Sequence, residues 1–217
     1  MAALDLTRSG ACFADGPVGR IEMLVDVPRG EALGLALIAH PQPLQGGTAQ
    51  HKIVQLLARA LADAGWLVVR PHFRGVAGSA GVHDAGLGET EDLLSLYRQL
   101  RAARPELRCA LLGFSFGAFV QARVASALLA ANAAPWRICL AGMPSGEVEG
   151  GRRYDTPTEL PDALVVHGEL DMRVPLGAVL DWARPQGRPV VVVPGADHFF
   201  TGRLHILRQL VLNHLSV

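Results

Sequence analysis

The sequence predicts an α/β protein with a mostly parallel sheet of about seven or eight strands, covered by helices on both faces. Short apolar runs alternate with helical patterns along the chain, and most of these runs contain no polar residue. Uninterrupted apolar runs indicate strands buried on both faces, and strands that alternate with helices indicate parallel pairing. With 217 residues, 50% of them apolar, the chain is expected to form a single domain over 1–217.

An antiparallel hairpin is predicted at the N-terminal edge of this sheet. Residues 4–28 contain two extended pieces around Ala14-Asp15-Gly16-Pro17, and the second piece, Arg20–Pro28, alternates apolar and polar residues. The first parallel strand, 34–39, is followed by a helical pattern that Gly65 ends. The further strands are predicted at 66–69, 109–112, 138–141, 163–167 and 190–193, and the helices at 53–61, 89–101, 116–131 and 200–215.

Functional residues are expected in the loops that follow the strands, because ligands of such sheets bind at the carboxyl ends of the strands. The loop 70–81 has neither a dinucleotide-binding nor a Walker glycine pattern, so a phosphate site is poorly supported. The segment 142–161 is polar and rich in Gly and Pro, which favours a solvated loop over a flap that contacts substrate. It is also too short and polar for a helical cap, so a site bordered by 42–47, 72–86 and 142–160 is expected to be open.

The central motif of the chain is Gly113-Phe114-Ser115-Phe116-Gly117, which lies between an apolar run and an Ala-rich helical pattern. A nucleophilic serine at a sharp strand-to-helix turn needs small residues two positions before and after it, so that strand and helix can cross closely. Gly113 and Gly117 occupy those positions. Ser115 is therefore the candidate nucleophile, and a tight turn in a Gly-rich protein is the alternative.

A serine nucleophile needs a histidine base, and the base needs a buried carboxylate to orient it. His198 is the best of the eight histidines because it lies just beyond the last strand on a Gly-containing turn. Asp171 is the favoured acid from its place four residues past a strand, with Glu169 and Asp197 as competitors whose alternative role is turn capping. His167, which closes that strand, is interpreted as a hydrogen-bonded core residue.

Two backbone N–H groups are expected to stabilise a developing oxyanion, one after the nucleophile and one in the loop after the third strand. Phe116 follows the nucleophile. In the second loop Pro41 and Pro43 have no N–H, which leaves Gln42 as the donor. The sequence has neither His-Glu-x-x-His nor Cys-x-x-Cys, so neither a metal nor a cofactor is expected.

Composition and charge exclude several partners. Twenty basic and twenty acidic residues give no net charge, and no run of Lys or Arg exceeds two, so nucleic acid is not an expected partner. No secretory leader or membrane span is recognisable, and three cysteines, an odd number, suggest reduced thiols. A cytoplasmic protein is expected, and the sequence does not determine whether it is a monomer or a homodimer.

Six motifs in order resemble the small bacterial α/β-hydrolases without a cap, which are similar to dienelactone hydrolases, and together they span nearly the whole chain. The motifs are His40-Pro41-x-Pro43-Leu44-x-Gly46-Gly47-Thr48, Arg70-x-x-Phe73-Arg74-Gly75-Val76, Asp84-x-Gly86-x-Gly88-Glu89, Gly113-Phe-Ser-Phe-Gly-Ala118, His167-Gly168-Glu169-x-Asp171-x-x-Val174-Pro175 and Gly195-Ala-Asp-His-Phe-Phe200.

This resemblance implies the α/β-hydrolase fold and the catalytic roles of Ser115, Asp171 and His198, in the chain order serine, acid, histidine. The chain departs from the family at His72, where asparagine is usual, at Ala77, where glycine is usual, and in a longer 142–161 loop. Substrate contacts are expected at His40, Leu44, His72 and Tyr154, although a structural role for His40 is somewhat favoured.

The predicted function is that of a serine hydrolase that cleaves carboxylic esters or thioesters of small acyl compounds through an acyl-enzyme intermediate. An acyl-amide or peptide hydrolase with the same three residues is one alternative. The other is a hydrolase-fold protein without catalytic activity that binds a small ligand or a protein partner, which an intact set of three residues disfavours.

Overall fold

The computed structural model describes residues 4–216, which form ten strands and five helices together with short 3-10 turns. The strands are β1 (Gly10–Gly16), β2 (Gly19–Asp26), β3 (Gly34–Ala39), β4 (Trp66–Pro71), β5 (Cys109–Phe114), β6 (Arg137–Ala141), β7 (Gly146–Glu147), β8 (Arg153–Tyr154), β9 (Ala163–Gly168) and β10 (Val190–Val193). The helices are α1 (Lys52–Asp63), α2 (Leu87–Ala103), α3 (Phe116–Ala130), α4 (Leu176–Ala183) and α5 (Leu204–Leu215).

Eight strands form one sheet in the order β1-β2-β4-β3-β5-β6-β9-β10. The β1–β2 hairpin joins β4 in antiparallel register, and every later pair in the sheet is parallel. The predicted fold class, a mostly parallel sheet with an N-terminal antiparallel hairpin, is therefore confirmed. Strand β5, which leads into Ser115, lies near the middle of the sheet. Strand β10 lies at its edge, and among the described strands it pairs only with β9.

The uninterrupted apolar strands are buried because both faces of the sheet are covered. In β3, Leu35 and Leu37 pack into one core cluster, and Ala36 and Ile38 pack into the other. Helices α2, α3 and α4 contribute to the first cluster, and α1 and α5 contribute to the second. Alternate side chains of one strand thus enter opposite cores, as the two-residue period of a strand requires.

Two helical elements differ from the sequence prediction. Helix α4 was not predicted, since Pro175 and Gly177 weaken the helical signal of an eight-residue element. The terminal helix begins at Leu204 rather than at 200, because Phe200 has a positive φ of 53° and Phe200–Arg203 form a turn. Among the described residues no helix has the length and apolar character needed to cross a membrane.

The segment 142–161 is more ordered than a solvated loop, which corrects the preferred interpretation of its sequence. It contains the β7–β8 pair and buries Tyr154 against Phe116 and Phe119, with ring centroids 6.3 and 5.0 Å apart. The indole N–H of Trp182 donates to the Thr156 carbonyl at 3.2 Å. The few apolar residues of this segment have no regular spacing, so its sequence resembles a surface loop although it is packed against α3 and α4.

Candidate active site

Ser115 lies at the turn between β5 and α3, with φ 55° and ψ −125°. This conformation is strained for a residue other than glycine, and it lifts the side chain above the carboxyl edge of the sheet. The two neighbouring glycines allow the turn, because a Cβ on Gly113 would overlap the Gly117 carbonyl and one on Gly117 would overlap the Ala39 carbonyl. The strand, turn and helix predicted from the motif are all present.

A continuous chain of hydrogen bonds joins the three predicted catalytic side chains. His198 Nε2 lies 3.0 Å from Ser115 Oγ, and His198 Nδ1 lies 2.7 Å from Asp171 Oδ2. A carboxylate can only accept, so Nδ1 carries the hydrogen and Nε2 is free to accept from the serine hydroxyl. Asp171 is buried and Ser115 is partly exposed, which leaves the oxygen that would attack accessible.

The position of Asp171 is fixed on both of its oxygens. Oδ1 accepts from the backbone N–H groups of Arg173 and Val174 at 2.9 and 2.8 Å. Besides His198, Oδ2 faces Nε2 of the buried His167 at 3.3 Å, and that nitrogen donates to the Val174 carbonyl at 2.9 Å. Burial lowers the pKa of His167, so it is a neutral donor here. The carboxylate can therefore hold one orientation toward His198.

The two competing acids point elsewhere. Glu169 accepts from the Gly195 N–H at 2.7 Å, and Asp197 accepts from the Phe199 and Thr201 N–H groups at 3.0 and 2.8 Å. These are the turn-capping interactions that the alternative reading of both residues anticipated. Of the three carboxylates, only Asp171 contacts the His198 ring.

The backbone N–H groups of Phe116 and Gln42 are the predicted oxyanion donors. Within residues 4–216 neither N–H donates a hydrogen bond to another group. The Gln42 carbonyl accepts from Gln45 and Gly47 N–H groups at 3.1 and 3.0 Å, and its side chain donates to the Tyr154 hydroxyl at 3.3 Å. These bonds immobilise the loop that carries the second donor.

Three of the predicted substrate contacts, His40, His72 and Tyr154, are buried and do not line the cleft in front of Ser115. His40 has no exposed surface, and both of its ring nitrogens are hydrogen-bonded. Nδ1 donates to the Pro41 carbonyl at 2.7 Å, and Nε2 accepts from the Phe73 N–H at 3.0 Å. Likewise His72 Nδ1 accepts from Ala49 N–H at 3.4 Å, and Tyr154 packs beneath the Gln42 loop. Leu44 is 75% exposed and is not among the residues that line the serine cleft. These four residues support or flank the loops and do not line the cleft.

The burial of His40 gives a prediction for stability in acid. Burial lowers its pKa to about 3, so the folded protein resists a proton that the unfolded chain accepts below about pH 6.5. Stability should fall as the pH drops from 6.5 toward 3, with this residue contributing about 1 kcal/mol per pH unit. Urea titrations at pH 7 and pH 4.5 measure the effect.

His40→Gln is the matched variant, because its amide supplies one donor and one acceptor, as the neutral ring does, and does not titrate. We expect a smaller loss of stability between the two pH values in this variant than in the wild type. Equal losses in both proteins would show that protonation of His40 does not drive the acid sensitivity.

The cleft in front of Ser115 has a volume of about 320 Å³. Its lining residues are Pro41, Gln42, Gln45, Gly47, His51, Ser115, Arg173, His198 and Phe199. The predicted border at 42–47 is thus present, but 72–86 and 142–160 do not line the cleft. His51, Arg173 and Phe199 do so instead and were not predicted. Only the position of Arg173 two residues after the acid, and of Phe199 next to the base, could have indicated their place.

No family model matches the sequence. The chain is 38% identical over 109 residues to an uncharacterised protein of Rickettsia prowazekii (strain Madrid E), a match that takes in 50% of this chain and 46% of that protein. The chain therefore spans about half the length of this curated relative.

Solved structures match over nearly the full length. A lidless α/β serine hydrolase from Xanthomonas campestris is 36% identical, with a TM-score of 0.82 over 96% of this chain and 94% of that one. An α/β serine hydrolase homologue from Coxiella burnetii is 35% identical, with a TM-score of 0.80 over 95% and 97% of the two chains. An esterase from Pyrococcus furiosus, 15% identical with a TM-score of 0.76 over 99% and 95%, shares the fold.

The fold, the absence of a helical cap over the cleft within residues 4–216, and the full-length match to two serine hydrolases agree with one another. The chain belongs to the α/β serine hydrolases without a lid.

Proposed function

We propose that this hydrolase cleaves carboxylic esters or thioesters of small acyl compounds, with Ser115 as nucleophile, His198 as base and Asp171 as its orienting acid. The proposal is carried by the unbroken hydrogen-bond chain from Ser115 Oγ through the His198 ring to Asp171. A serine hydroxyl is a weak nucleophile until a positioned base can take its proton. In this series of hydrogen bonds His198 is the base, and Asp171 orients it.

In the proposed acylation step, Ser115 Oγ attacks the substrate carbonyl carbon while His198 Nε2 takes the hydroxyl proton. The carbonyl oxygen becomes an oxyanion, which the Gln42 and Phe116 amides stabilise by hydrogen bonds. The tetrahedral intermediate then expels the alcohol or thiol, which leaves with the proton from His198. Asp171 remains ionised and stabilises the transient imidazolium.

Deacylation repeats this sequence with water. A water molecule attacks the acyl carbon with its oxygen while His198 takes one of its protons. The amides of Gln42 and Phe116 stabilise the second oxyanion. The ester bond to Ser115 Oγ breaks, the serine recovers its proton from His198, and the carboxylic acid leaves. The partial exposure of Ser115 supports this step, because water can reach the acyl group.

Covalent labelling with a fluorophosphonate tests the proposal. The reagent should phosphonylate Ser115, because the adduct places a tetrahedral, negatively polarised centre where the two amides can stabilise it. Mass spectrometry of peptides locates the adduct, and the exposed Ser216 serves as an internal control that should stay unmodified. Folded protein that resists the reagent at pH 8, under conditions that label a known serine hydrolase, would favour the binding protein without catalytic activity.

Short acyl groups should be the better substrates. A cleft of about 320 Å³ lies at the small end of the range for ligand sites, and its apolar lining consists mainly of Pro41 and Phe199. It therefore offers little apolar surface to a long chain. A series of 4-nitrophenyl esters from acetate to palmitate should show kcat/KM highest at acetate or butyrate. A maximum at octanoate or longer would contradict this expectation.

A further inference from the structure

The cleft in front of Ser115 is lined by hydrogen-bond donors and one positive charge. Arg173 supplies the charge, and among the described residues that line the cleft there is no aspartate or glutamate. The whole chain has equal numbers of acidic and basic residues, so the excess of positive charge in the cleft lining does not follow from the overall composition. Such a lining favours a substrate that carries negative charge.

The guanidinium of Arg173 is held in place but only weakly neutralised. Its Cζ lies 5.1 Å from the centre of the Phe199 ring, and its backbone N–H is bound to Asp171. The described residues give it one carboxylate partner, Glu149, at 3.9 Å, and the two side chains are 43% and 57% exposed. An exposed ion pair at that distance contributes little, so a ligand can replace it.

His51 provides a second donor on the same cleft. Its Nδ1 accepts from the Ile53 N–H at 3.3 Å, so the hydrogen is on Nε2. Burial lowers the pKa of His51, with Lys52 and His198 adding to the effect, and the ring is neutral at pH 7. Its face stacks on Phe114 at 5.5 Å, which fixes its orientation. One cation and one neutral donor suit a ligand with a single negative charge.

We propose that the cleft selects esters that carry a carboxylate close to the scissile bond, and that Arg173 binds this carboxylate with His51 as a second donor. The planar guanidinium matches a carboxylate through paired N–H···O bonds, which a lysine could not provide. This inference rests on the proposed ester hydrolysis, and it makes Arg173 the residue that determines specificity.

Matched substrates test the inference on both sides of the ester bond. The pair 3-acetoxybenzoate and 3-acetoxybenzamide places a carboxylate or a neutral carboxamide of similar shape on the leaving group, and the rates of both esters in alkali correct for their difference in intrinsic reactivity. The mono-4-nitrophenyl ester of isophthalate and its carboxamide counterpart differ only in the charge of the acyl group. We expect kcat/KM to be about tenfold or more higher for the charged member of at least one pair, as paired charged hydrogen bonds provide. Added salt should reduce this preference.

Arg173→Gln should remove the preference, because it should lower kcat/KM for the charged ester about tenfold more than for the neutral ester. Arg173→Lys should restore it only in part, because the charge returns without the planar fork. Arg153→Gln is the matched control, since Arg153 is exposed and lies outside the cleft lining. Equal rates for the two members of both pairs in the wild type, or equal loss on both substrates in Arg173→Gln, would overturn the inference.

A binding measurement separates this inference from the proposed chemistry. Calorimetry should detect 3-hydroxybenzoate binding to Ser115→Ala, weaker binding of 3-hydroxybenzamide, and loss of the difference when Arg173→Gln is added. If none of the esters is hydrolysed but this difference is present, ester hydrolysis fails and anion recognition stands. If neutral esters are hydrolysed but the two ligands bind equally well, ester hydrolysis stands and anion recognition fails.

Discussion

Ser115→Ala is expected to lower the rate of ester hydrolysis by about 10³- to 10⁶-fold, the range in which residues that act as one catalytic unit fall. The methyl group leaves His198 with no hydroxyl to deprotonate, so no acyl-enzyme can form. The fold should be unaffected, because among residues 4–216 the Ser115 side chain makes no hydrogen bond other than the one to His198. The measurement is initial-rate hydrolysis of 4-nitrophenyl acetate with active-site titration.

Ser145→Ala is a suitable control, since Ser145 is a buried serine that lies outside the cleft lining. It should retain nearly full activity. Ordinary esterase activity in purified Ser115→Ala, with circular dichroism equal to that of the wild type, would refute the assignment of the nucleophile.

Asp171→Asn is expected to lower kcat by about 10⁴-fold, the loss that follows when the orienting carboxylate of such a triad becomes an amide. The amide oxygen should take the place of Oδ1, which accepts from the Arg173 and Val174 N–H groups. Its NH₂ then faces His198 Nδ1 and forces the hydrogen onto Nε2. In that tautomer the ring cannot accept the proton of Ser115, although its position is retained.

Steady-state kinetics with 4-nitrophenyl acetate measures this loss. Asp197→Asn and Glu169→Gln are matched controls that remove a carboxylate charge from neighbouring turns, and they should change kcat far less. Wild-type rates in Asp171→Asn, together with a large loss in Glu169→Gln, would transfer the role of the acid to Glu169.

The sheet could be predicted from the sequence, and so could the meeting of the Ser115, Asp171 and His198 side chains at its edge. Runs such as 34–39 and 109–112 contain no polar residue, and only strands covered on both faces explain them. Ser115, Asp171 and His198 each follow a predicted strand, and the carboxyl ends of parallel strands meet at one edge. The parallel arrangement of the strands alone therefore predicts that these three side chains lie close together.

The lining of the cleft could not be predicted in the same way. His40 lies next to the Gln42 loop in sequence, but the end of β3 directs its side chain into the core, where Phe73 and Pro41 bind it. Conversely, His51 and Arg173 reach the cleft from separate turns. Which side chains converge depends on the exact direction of each loop, and the spacing of apolar residues carries no information on that.

The base and the nucleophile lie on parts of the sheet that differ in how firmly they are held. Strand β5 is hydrogen-bonded on both sides, to β3 and β6. Among the described strands β10 is bonded only to β9, and its residues 190–192 are half-exposed. Opening an edge strand breaks one ladder instead of two, so such strands open locally at a lower free energy than the centre. His198 follows β10 in the chain, so we expect opening of this edge to withdraw the imidazole from Ser115 while the rest of the sheet stays folded. Thermal inactivation should therefore begin with fraying of one edge, ahead of global unfolding.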